Sequence, residues 1–416
     1  MTFVTTGMLQ GLRALDLTDR EPQLCGRILA DLGADVIRVE RPGGDRSRHF
    51  GPFHDDAVHP ERSLWWFFLN ANKRGITLDL ETADGIGLFK GLAKSADVVI
   101  ESFPPGDMAR RGLDYPALAA INPRIVLTSI TPFGQTGPYQ DYKASELVLN
   151  ALGVFMFGNG APDRPPLKPN YPLAGMTAAI AASSATMVAH YSCRKSGKGQ
   201  HIDVSAQAGL PWLTGSVGAW WQAEHVEMPR RGPALGRRPD LVIRFFWPCR
   251  DGHVVFQFFG GVVGTRSNKA LAQWMAEEGM GDDYFRSIDW DKLDLYQVSQ
   301  DVITRLEESI GTFFLTKGRE ELSEEGTRRG MLLGRMDNMR DLSHNAQLAS
   351  GGFWKEIEHP EMGTSLTYAG RFVRSSIMDC GIRRRAPLIG EHNHEVYAEI
   401  GVSREELLAL NQAGVV

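Results

Sequence analysis

Residues 12–41 read LRALDLTDREPQLCGRILADLGADVIRVER and carry the pattern that decides the fold. The apolar run RALDL predicts a buried strand, QLCGRILADLGA predicts an amphipathic helix, and DVIRVER predicts a second strand. Gly33 stands where a glycine commonly ends a helix. A strand, a helix and a strand in succession indicate two parallel strands joined by a covering helix.

The same alternation continues along the chain. GITLDL, DVVIESF, IVLTSIT and HIDVS predict further strands, and GIGLFKGLAKSA predicts a helix between the first two of them. Residues 175–192 are rich in Ala, Ser and Thr and predict a helix of small residues that precedes HIDVS. We therefore predict an α/β fold with a large, Rossmann-like parallel sheet.

The sequence changes in character beyond about residue 225. A stretch rich in Pro, Gly and Arg is followed by VIRFFWPCRDGHVVFQFF, in which two apolar runs flank Arg-Asp-Gly and predict a hairpin. We predict that residues 1–224 form the first part of the large domain and that 225–325 form a smaller inserted α+β domain with its linkers. Residues 326–416 are expected to return to the large domain.

Composition excludes several classes of protein. The 416 residues carry a formal net charge of -5, whereas a nucleic-acid binder usually carries a basic excess. The four cysteines form no CxxC pair, so we expect neither a zinc site nor a redox motif. The N-terminus lacks a secretory leader, and residues 174–190 are interrupted by Thr and Ser and fall short of a bilayer span. We expect a cytoplasmic protein with no membrane partner.

Basic residues recur in the loops that flank the predicted strands. They are Arg41, Arg46, Arg48, Lys73, Arg74, Arg110, Arg111 and Lys143. One cationic cleft assembled from several loops suits a ligand with several phosphates, although solvated surface charges remain the alternative. Neither a P-loop nor GxGxxG after the first strand is present, so a dinucleotide site is not expected. His392 and His394 in GEHNHE have no evident third ligand, and we predict no metal site.

Six motifs, in order, resemble those of the family III CoA-transferases, the formyl-CoA transferase and carnitine-CoA transferase type. They are LADLGADVIRVERPGGD, NANKRGITLDL, VVIESFPPGDMARRGL, INPRIVLTSITPFGQTGP, SGKGQHIDVS and RRAPLIGEHNHEV. The resemblance implies an enzyme that moves CoA from an acyl-CoA to a carboxylic acid. It also implies a large domain built from both chain ends, and two subunits interlocked as a dimer.

The resemblance further implies which residues hold the nucleotide part of CoA. They are Arg41, Lys73, Arg74, Ser102, Phe103, Arg110 and Lys143. Most of these residues belong to the basic loops described above.

The catalytic positions match the family less well. The family's nucleophile is an Asp four residues before the Gly that opens the small-residue helix, and here Tyr171 stands four residues before Gly175. An aryl ester would be a poor relay for CoA, so we do not expect Tyr171 to replace the carboxylate. Glu146 corresponds to a helper Glu, and Glu21 or a neighbour to a helper Gln. The His and Asp that a racemase of this family needs are missing.

Three interpretations follow from this difference. In the first, the chain is one subunit of a heteromer, as in the succinyl-CoA:benzylsuccinate CoA-transferase, and a homologous partner carries the Asp. In the second, a homodimer uses a displaced carboxylate, Asp163 or Glu146. In the third, the chain is a non-catalytic acyl-CoA-binding protein.

Overall fold

The computed structural model describes residues 7–227, 229–238, 240–257 and 259–416. Residues 1–6 of the predicted leaderless N-terminus and Phe258 of the predicted hairpin lie outside the described residues. The chain forms two compact units. The first contains Met1–Val154, Pro169–Gly215 and Ala346–Val416, and the second contains Phe155–Lys168 and Ser216–Asn345. The domain bounds that the sequence suggested, 1–224, 225–325 and 326–416, stay a prediction.

Strands and helices alternate over the first part of the chain. The strands are β1 Arg13–Leu17, β2 Asp35–Glu40, β3 Arg74–Thr77, β4 Val98–Glu101, β5 Val126–Thr131, β6 His201–Ser205, β7 Ala234–Arg238, β8 Leu241–Arg244, β9 Phe246–Cys249, β10 Gly252–Phe256, β11 Leu333–Arg335, β12 Trp354–His359 and β13 Thr364–Ala369. The helices are α1 Gln23–Asp31, α2 Leu64–Asn70, α3 Ala83–Ala93, α4 Asp107–Arg110, α5 Tyr115–Ile121, α6 Glu146–Leu152, α7 Leu173–Ser196, α8 Ala206–Leu213, α9 Gly215–Glu224, α10 Gly261–Glu277, α11 Asp283–Ser287, α12 Gln300–Leu315, α13 Arg319–Arg329, α14 Met339–Ser343, α15 Ala346–Ser350, α16 Asn393–Ala398 and α17 Arg404–Gln412. Two short 3-10 turns lie at Arg46–His49 and His54–Asp56.

The first unit is organised around a six-stranded sheet in the order β3-β2-β1-β4-β5-β6. All five strand pairs of this sheet are parallel. This is the Rossmann strand order, in which the direction of winding reverses between β1 and β4. The α/β fold with a Rossmann-like parallel sheet, predicted from the sequence, is confirmed.

Both faces of the sheet are covered, because neighbouring residues of each strand point into different cores. Leu15 of β1 packs into a core that also contains Phe89 of α3, and Ala14 packs into another that contains Leu29 of α1. Gly33 has a φ of 106°, a conformation that glycine adopts readily, and it ends α1 as predicted.

The small-residue helix α7 has 24 residues and is longer than the sequence pattern predicted. By length and composition alone it could cross a membrane, and it is the one such helix among the described residues. Small side chains on one side of α7 are buried against the sheet, among them Ala178 and Ala182. The close fit of small residues explains the composition of α7 as that of a core helix.

A segment late in the chain completes the first unit. Val396 and Tyr397 of α16 are fully buried in the core that contains Ile76 of β3. The Tyr397 hydroxyl donates to the carbonyl oxygen of Thr77 at 2.6 Å, across 320 residues of sequence. A helix from near the other end of the chain therefore completes the core beside β3, although all six strands of the parallel sheet lie within residues 13–205.

The second unit has an antiparallel sheet of three strands in the order β11-β10-β9. Cys249 pairs with Gly252 across the turn, as the Arg-Asp-Gly hairpin pattern predicted. Aromatic side chains form its core, and Trp247 and Phe314 meet edge to face with ring centroids 5.6 Å apart. Strands β7 and β8 form a separate antiparallel pair.

Candidate functional site

A cavity of about 350 Å³ opens at the carboxyl ends of strands β1 to β4. In parallel sheets, ligands bind in the crevice where the winding reverses, which here lies between β1 and β4. Thr18 and Asp19 follow β1 and line one side of this cavity, and Ser102 and Phe103 follow β4 and line the other. The topology of the sheet alone therefore marks this cavity as the candidate ligand site.

Arg41, one of the predicted nucleotide-binding residues, lines the cavity with a charge that can pair with a bound anion. It is exposed, lines the cavity together with Arg46, and neither side chain makes an ion pair within the part of the chain that the structure describes. Two guanidinium groups in the same connection, between β2 and α2, can bind an anionic ligand. Arg46 belongs to the cationic cleft that the sequence predicted, although it is not among the residues that the family resemblance implies.

The predicted residues Ser102 and Phe103 also line the cavity. The Ser102 hydroxyl accepts a hydrogen bond from the Asp19 backbone N–H at 2.7 Å, which joins the loops after β1 and β4. The guanidinium of Arg111 lies over the ring of Phe103, 4.8 Å from its centroid. This contact gives the cavity a flat, partly apolar wall.

Lys73 is buried and does not line the cavity. Its ammonium group is fully buried and donates to Asp16 Oδ2 at 2.8 Å, to the Gln23 carbonyl at 2.8 Å and to Asn70 Oδ1 at 2.9 Å. These acceptors use all three of its N–H groups. Burial lowers the pKa of Lys73 to about 8, against the opposing charge of Asp16. The role of Lys73 that the structure supports is internal.

Arg74 is also committed to carboxylates of the chain. It donates two hydrogen bonds to Asp35 and one each to Glu395 and Glu399, at 2.6–2.9 Å. Lys143 and Arg110 are both exposed, and neither residue lines the cavity. The structure thus brings together three of the seven predicted nucleotide-binding residues, Arg41, Ser102 and Phe103. The binding roles of all seven stay predictions.

The mouth of α7 contains the other part of the candidate site. Glu146 Oε1 accepts the backbone N–H of Ala174 at 2.7 Å and the side-chain N–H of Asn150 at 2.8 Å. Its Oε2 lies 3.4 Å from the N–H of Gly175. Pro172, at the N-cap of α7, makes no side-chain capping bond, so Glu146 satisfies amides that would otherwise lack partners.

Glu21 lies on the other side of Gly175. A Cβ added to Gly175 would stand 2.6 Å from Cβ of Glu21, so a glycine is needed for this close approach. Burial raises the pKa of Glu21, and the charges of Glu146 and Asp19 raise it further. Two carboxylates therefore flank the first turn of a long helix, whose positive end favours negative charge.

Tyr171 is 72% exposed, and Asp163 lies in the second unit. Among the described residues there is no group of three His, Cys, Asp or Glu side chains arranged to hold a metal ion. Of the two histidines in GEHNHE, His392 accepts the Gly75 backbone N–H with Nδ1 at 3.1 Å, which fixes its ring against β3.

Glu101 is a buried acid at the end of β4 that the sequence analysis did not single out. Its Oε2 accepts the N–H of Phe103 at 2.7 Å, and its side chain is hydrogen-bonded to Ser129. Ser129 lies 2.8 Å from Nε2 of His201. Burial raises the pKa of Glu101 to about 7, and Asp107 and Asp203 add to this effect. Its position at the end of an apolar strand was the available signal.

A family model for CoA-transferase family III matches residues 9–393. The chain belongs to this family. Its membership confirms the prediction of an acyl-CoA:carboxylate CoA-transferase, for which acyl-CoA is a substrate.

Curated relatives cover nearly all of the chain. It is 31% identical to succinyl-CoA:(R)-benzylsuccinate CoA-transferase subunit BbsE of Thauera aromatica, over 97% of each chain. It is 29% identical to succinyl-CoA–D-citramalate CoA-transferase of Chloroflexus aurantiacus, over 94% of this chain and 92% of the relative. A solved structure of a CaiB/BaiF family protein from Brucella suis superposes with a TM-score of 0.79 at 27% identity, covering 95% of this chain and 100% of that one.

Replacement of Lys73 by Met tests its internal role. We expect Lys73→Met to lower the free energy of unfolding by about 3 kcal/mol, because it leaves the buried Asp16 carboxylate without one partner. Lys355→Met, at an exposed position on β12, is the matched control and should change stability by less than about 0.5 kcal/mol. Denaturant unfolding measures both. Equal stability of the two variants would contradict the internal role.

Glu101 should make stability depend on pH. The pKa of Glu101 is about 7 in the folded protein and 4.5 ordinarily, so folding takes up a proton at pH values between these two. The free energy of unfolding therefore falls as the pH rises from about 4.5 to about 7. Glu101→Gln removes the titration. We expect the stability of the variant relative to the wild type to rise by about 2.5 kcal/mol between pH 5 and pH 8.

The measurement for Glu101 is denaturant unfolding at both pH values. Glu356→Gln, on the exposed side of β12, is the control. A difference between Glu101→Gln and the wild type that does not vary with pH would refute the assignment.

Proposed function

We propose that the chain is the subunit that lacks the nucleophilic carboxylate in a heteromeric CoA-transferase. This enzyme would move CoA from an acyl-CoA such as succinyl-CoA to a carboxylic acid. The chain would hold the CoA nucleotide at the carboxyl edge of its sheet, and a homologous partner would supply the Asp. The observation that carries the proposal is Tyr171, an exposed phenol four residues before Gly175.

The cavity supports binding of the CoA nucleotide. It lies where the winding of the sheet reverses, and its volume of about 350 Å³ is in the range of small-ligand sites. Arg41 and Arg46 present cations to phosphate groups there, and the ring of Phe103 offers an apolar wall. The nucleotide of CoA combines phosphates with a flat base, which matches these two features.

The chemistry explains why a carboxylate must come from elsewhere. A carboxylate oxygen attacks the thioester carbon, the C–S bond breaks, and the CoA thiolate leaves a mixed anhydride behind. The thiolate then attacks the carboxylate-derived carbonyl of the enzyme, which releases the donor acid and gives an enzyme-CoA thioester. An acceptor carboxylate then attacks the enzyme thioester, which expels the CoA thiolate and forms a second anhydride. The thiolate attacks the acceptor's carbonyl carbon, which gives the new acyl-CoA and frees the enzyme carboxylate. An aryl ester on Tyr171 would contain no carbonyl from the enzyme, so the thiolate could not form an enzyme-CoA thioester there.

Glu146 is a poor candidate for a displaced nucleophile because its two oxygens already bind the amides that open α7. Attack on a thioester would withdraw this carboxylate from its cap and leave N–H groups without acceptors. The arrangement instead supports a role for Glu146 as a positioning group. It holds the first turn of α7 beside the place where a partner's Asp would act.

The exposed apolar surface of the first unit supports a partner chain. Large apolar side chains on α6, α7 and α8 are exposed by 48% to 88%; they are Leu147, Leu152, Ile180, Val188, Tyr191 and Trp212. We propose that a homologous family III chain covers them. Two related chains can use equivalent surfaces in a pseudo-symmetric, interlocked dimer. The 31% identity to a protein named as a transferase subunit favours a heteromer.

Assay of the chain with and without a partner tests the subunit role. We expect no CoA transfer from succinyl-CoA by the purified chain, and transfer when it is co-expressed with a homologue that carries Asp at the position of Tyr171. Size-exclusion chromatography should show the two chains in one complex. Transfer by the lone chain that is lost in Glu146→Gln or Asp163→Asn would instead establish a displaced carboxylate. CoA binding without activity in any complex would establish a non-catalytic binding protein.

Reversal of one charge tests the nucleotide site. Arg41→Glu should weaken CoA binding at least about tenfold, because it removes a charge-assisted phosphate contact and adds repulsion. Arg371→Glu changes the same charge outside the cavity lining and serves as the control. Isothermal titration calorimetry measures both affinities. Unchanged affinity in Arg41→Glu would refute this location of the nucleotide.

A further inference from the structure

Glu81 binds two arginines at the edge of the cavity. Its Oε1 accepts from Nη2 of Arg111 at 2.6 Å and from Nε of Arg111 at 3.2 Å. Its Oε2 accepts from Nη1 of Arg110 at 3.2 Å. One carboxylate therefore occupies donors of two neighbouring guanidinium groups.

Glu81 and Arg111 both line the proposed nucleotide cavity. The side chain of Arg111 is only 5% exposed, because it packs over Phe103 and also binds Asp107 at 3.2 Å. Glu81 is 49% exposed, so it can turn outward into solvent without unfolding the loop. Hydrogen bonds from the two arginines lower the pKa of Glu81, which keeps it ionised.

The charges of the cavity differ from those that the basic loops suggest. Four arginines line it, together with six acidic residues, so the cavity is not cationic as a whole. Arg41 and Arg46 make no ion pair among the described residues, whereas Arg111 faces both Glu81 and Asp107. A phosphate that binds Nε and Nη2 of Arg111 must displace the carboxylate of Glu81, which also occupies one donor of Arg110.

A carboxylate and a phosphate bind a guanidinium group in the same forked geometry. We propose that Glu81 is an internal competitor for a phosphate of CoA, which occupies Arg110 and Arg111 and limits the affinity of this chain for the nucleotide. This inference rests on the proposed CoA site. The chain would then bind CoA mainly through Arg41 and Arg46, and binding by the second arginine pair would require Glu81 to leave.

Titration with CoA and with pantetheine, which has no phosphate, tests the competition. Glu81→Gln should tighten CoA binding by about tenfold, the scale of one charge-assisted hydrogen bond, and should leave pantetheine binding unchanged. Adding Arg110→Gln to this variant should remove most of the gain, since it deletes a donor that Glu81 had occupied. Glu405→Gln removes the same charge at an exposed site on α17 and should have no effect.

The outcomes separate this inference from the proposed function. If Arg41→Glu weakens CoA binding while Glu81→Gln leaves it unchanged, the competition is refuted and the nucleotide site stands. A gain with Glu405→Gln as large as with Glu81→Gln, or an equal gain for pantetheine, would also refute it. If neither the wild type nor Glu81→Gln binds CoA, both the competition and the nucleotide site are refuted.

Discussion

The buried Asp16 carboxylate is the interaction on which the candidate site depends. It accepts from Lys73, from Arg38 at 3.3 Å and from the Thr18 backbone at 3.0 Å. Through these bonds one group joins β1, β2, the loop before β3 and the turn after β1. Lys73 and Arg38 are almost completely buried, and each charge would cost several kcal/mol without a partner. The buried charges of Asp16, Lys73 and Arg38 therefore hold these segments together beside the cavity, which Arg38 lines.

The fold could largely be predicted from the sequence because its signals are local. The periodicity of residues 12–41 specifies a strand, a helix and a strand, and Gly33 ends the helix as its position indicated. The length of α7 was underestimated, since small residues give little periodicity by which to place its ends. The strand order was not predicted, because nothing local decides which strands become neighbours.

The site was predicted less completely, for a physical reason. Basic residues can be counted in a sequence, but the carboxylates that neutralise them cannot be assigned. Arg74 meets Glu395 and Glu399 more than 300 residues later, and Lys73 meets Asp16. The carboxylate of Glu81 on Arg111 and the capping of α7 by Glu146 are likewise contacts between distant segments. The place of Tyr171 four residues before Gly175 could be read from the sequence because the motif around it is local, and the missing nucleophilic Asp at this position stays a prediction.

The contact between Tyr397 and Thr77 has a consequence for biosynthesis. The apolar face of β3 is not covered by α16 until about 320 further residues have been synthesised. Contacts of such long separation in sequence slow folding and leave apolar surface exposed during synthesis. The second unit lies between these two segments in the sequence, so all of its residues leave the ribosome before Tyr397 does. We therefore expect the nascent chain to need protection by chaperones, and the second unit to complete its fold before the first unit does.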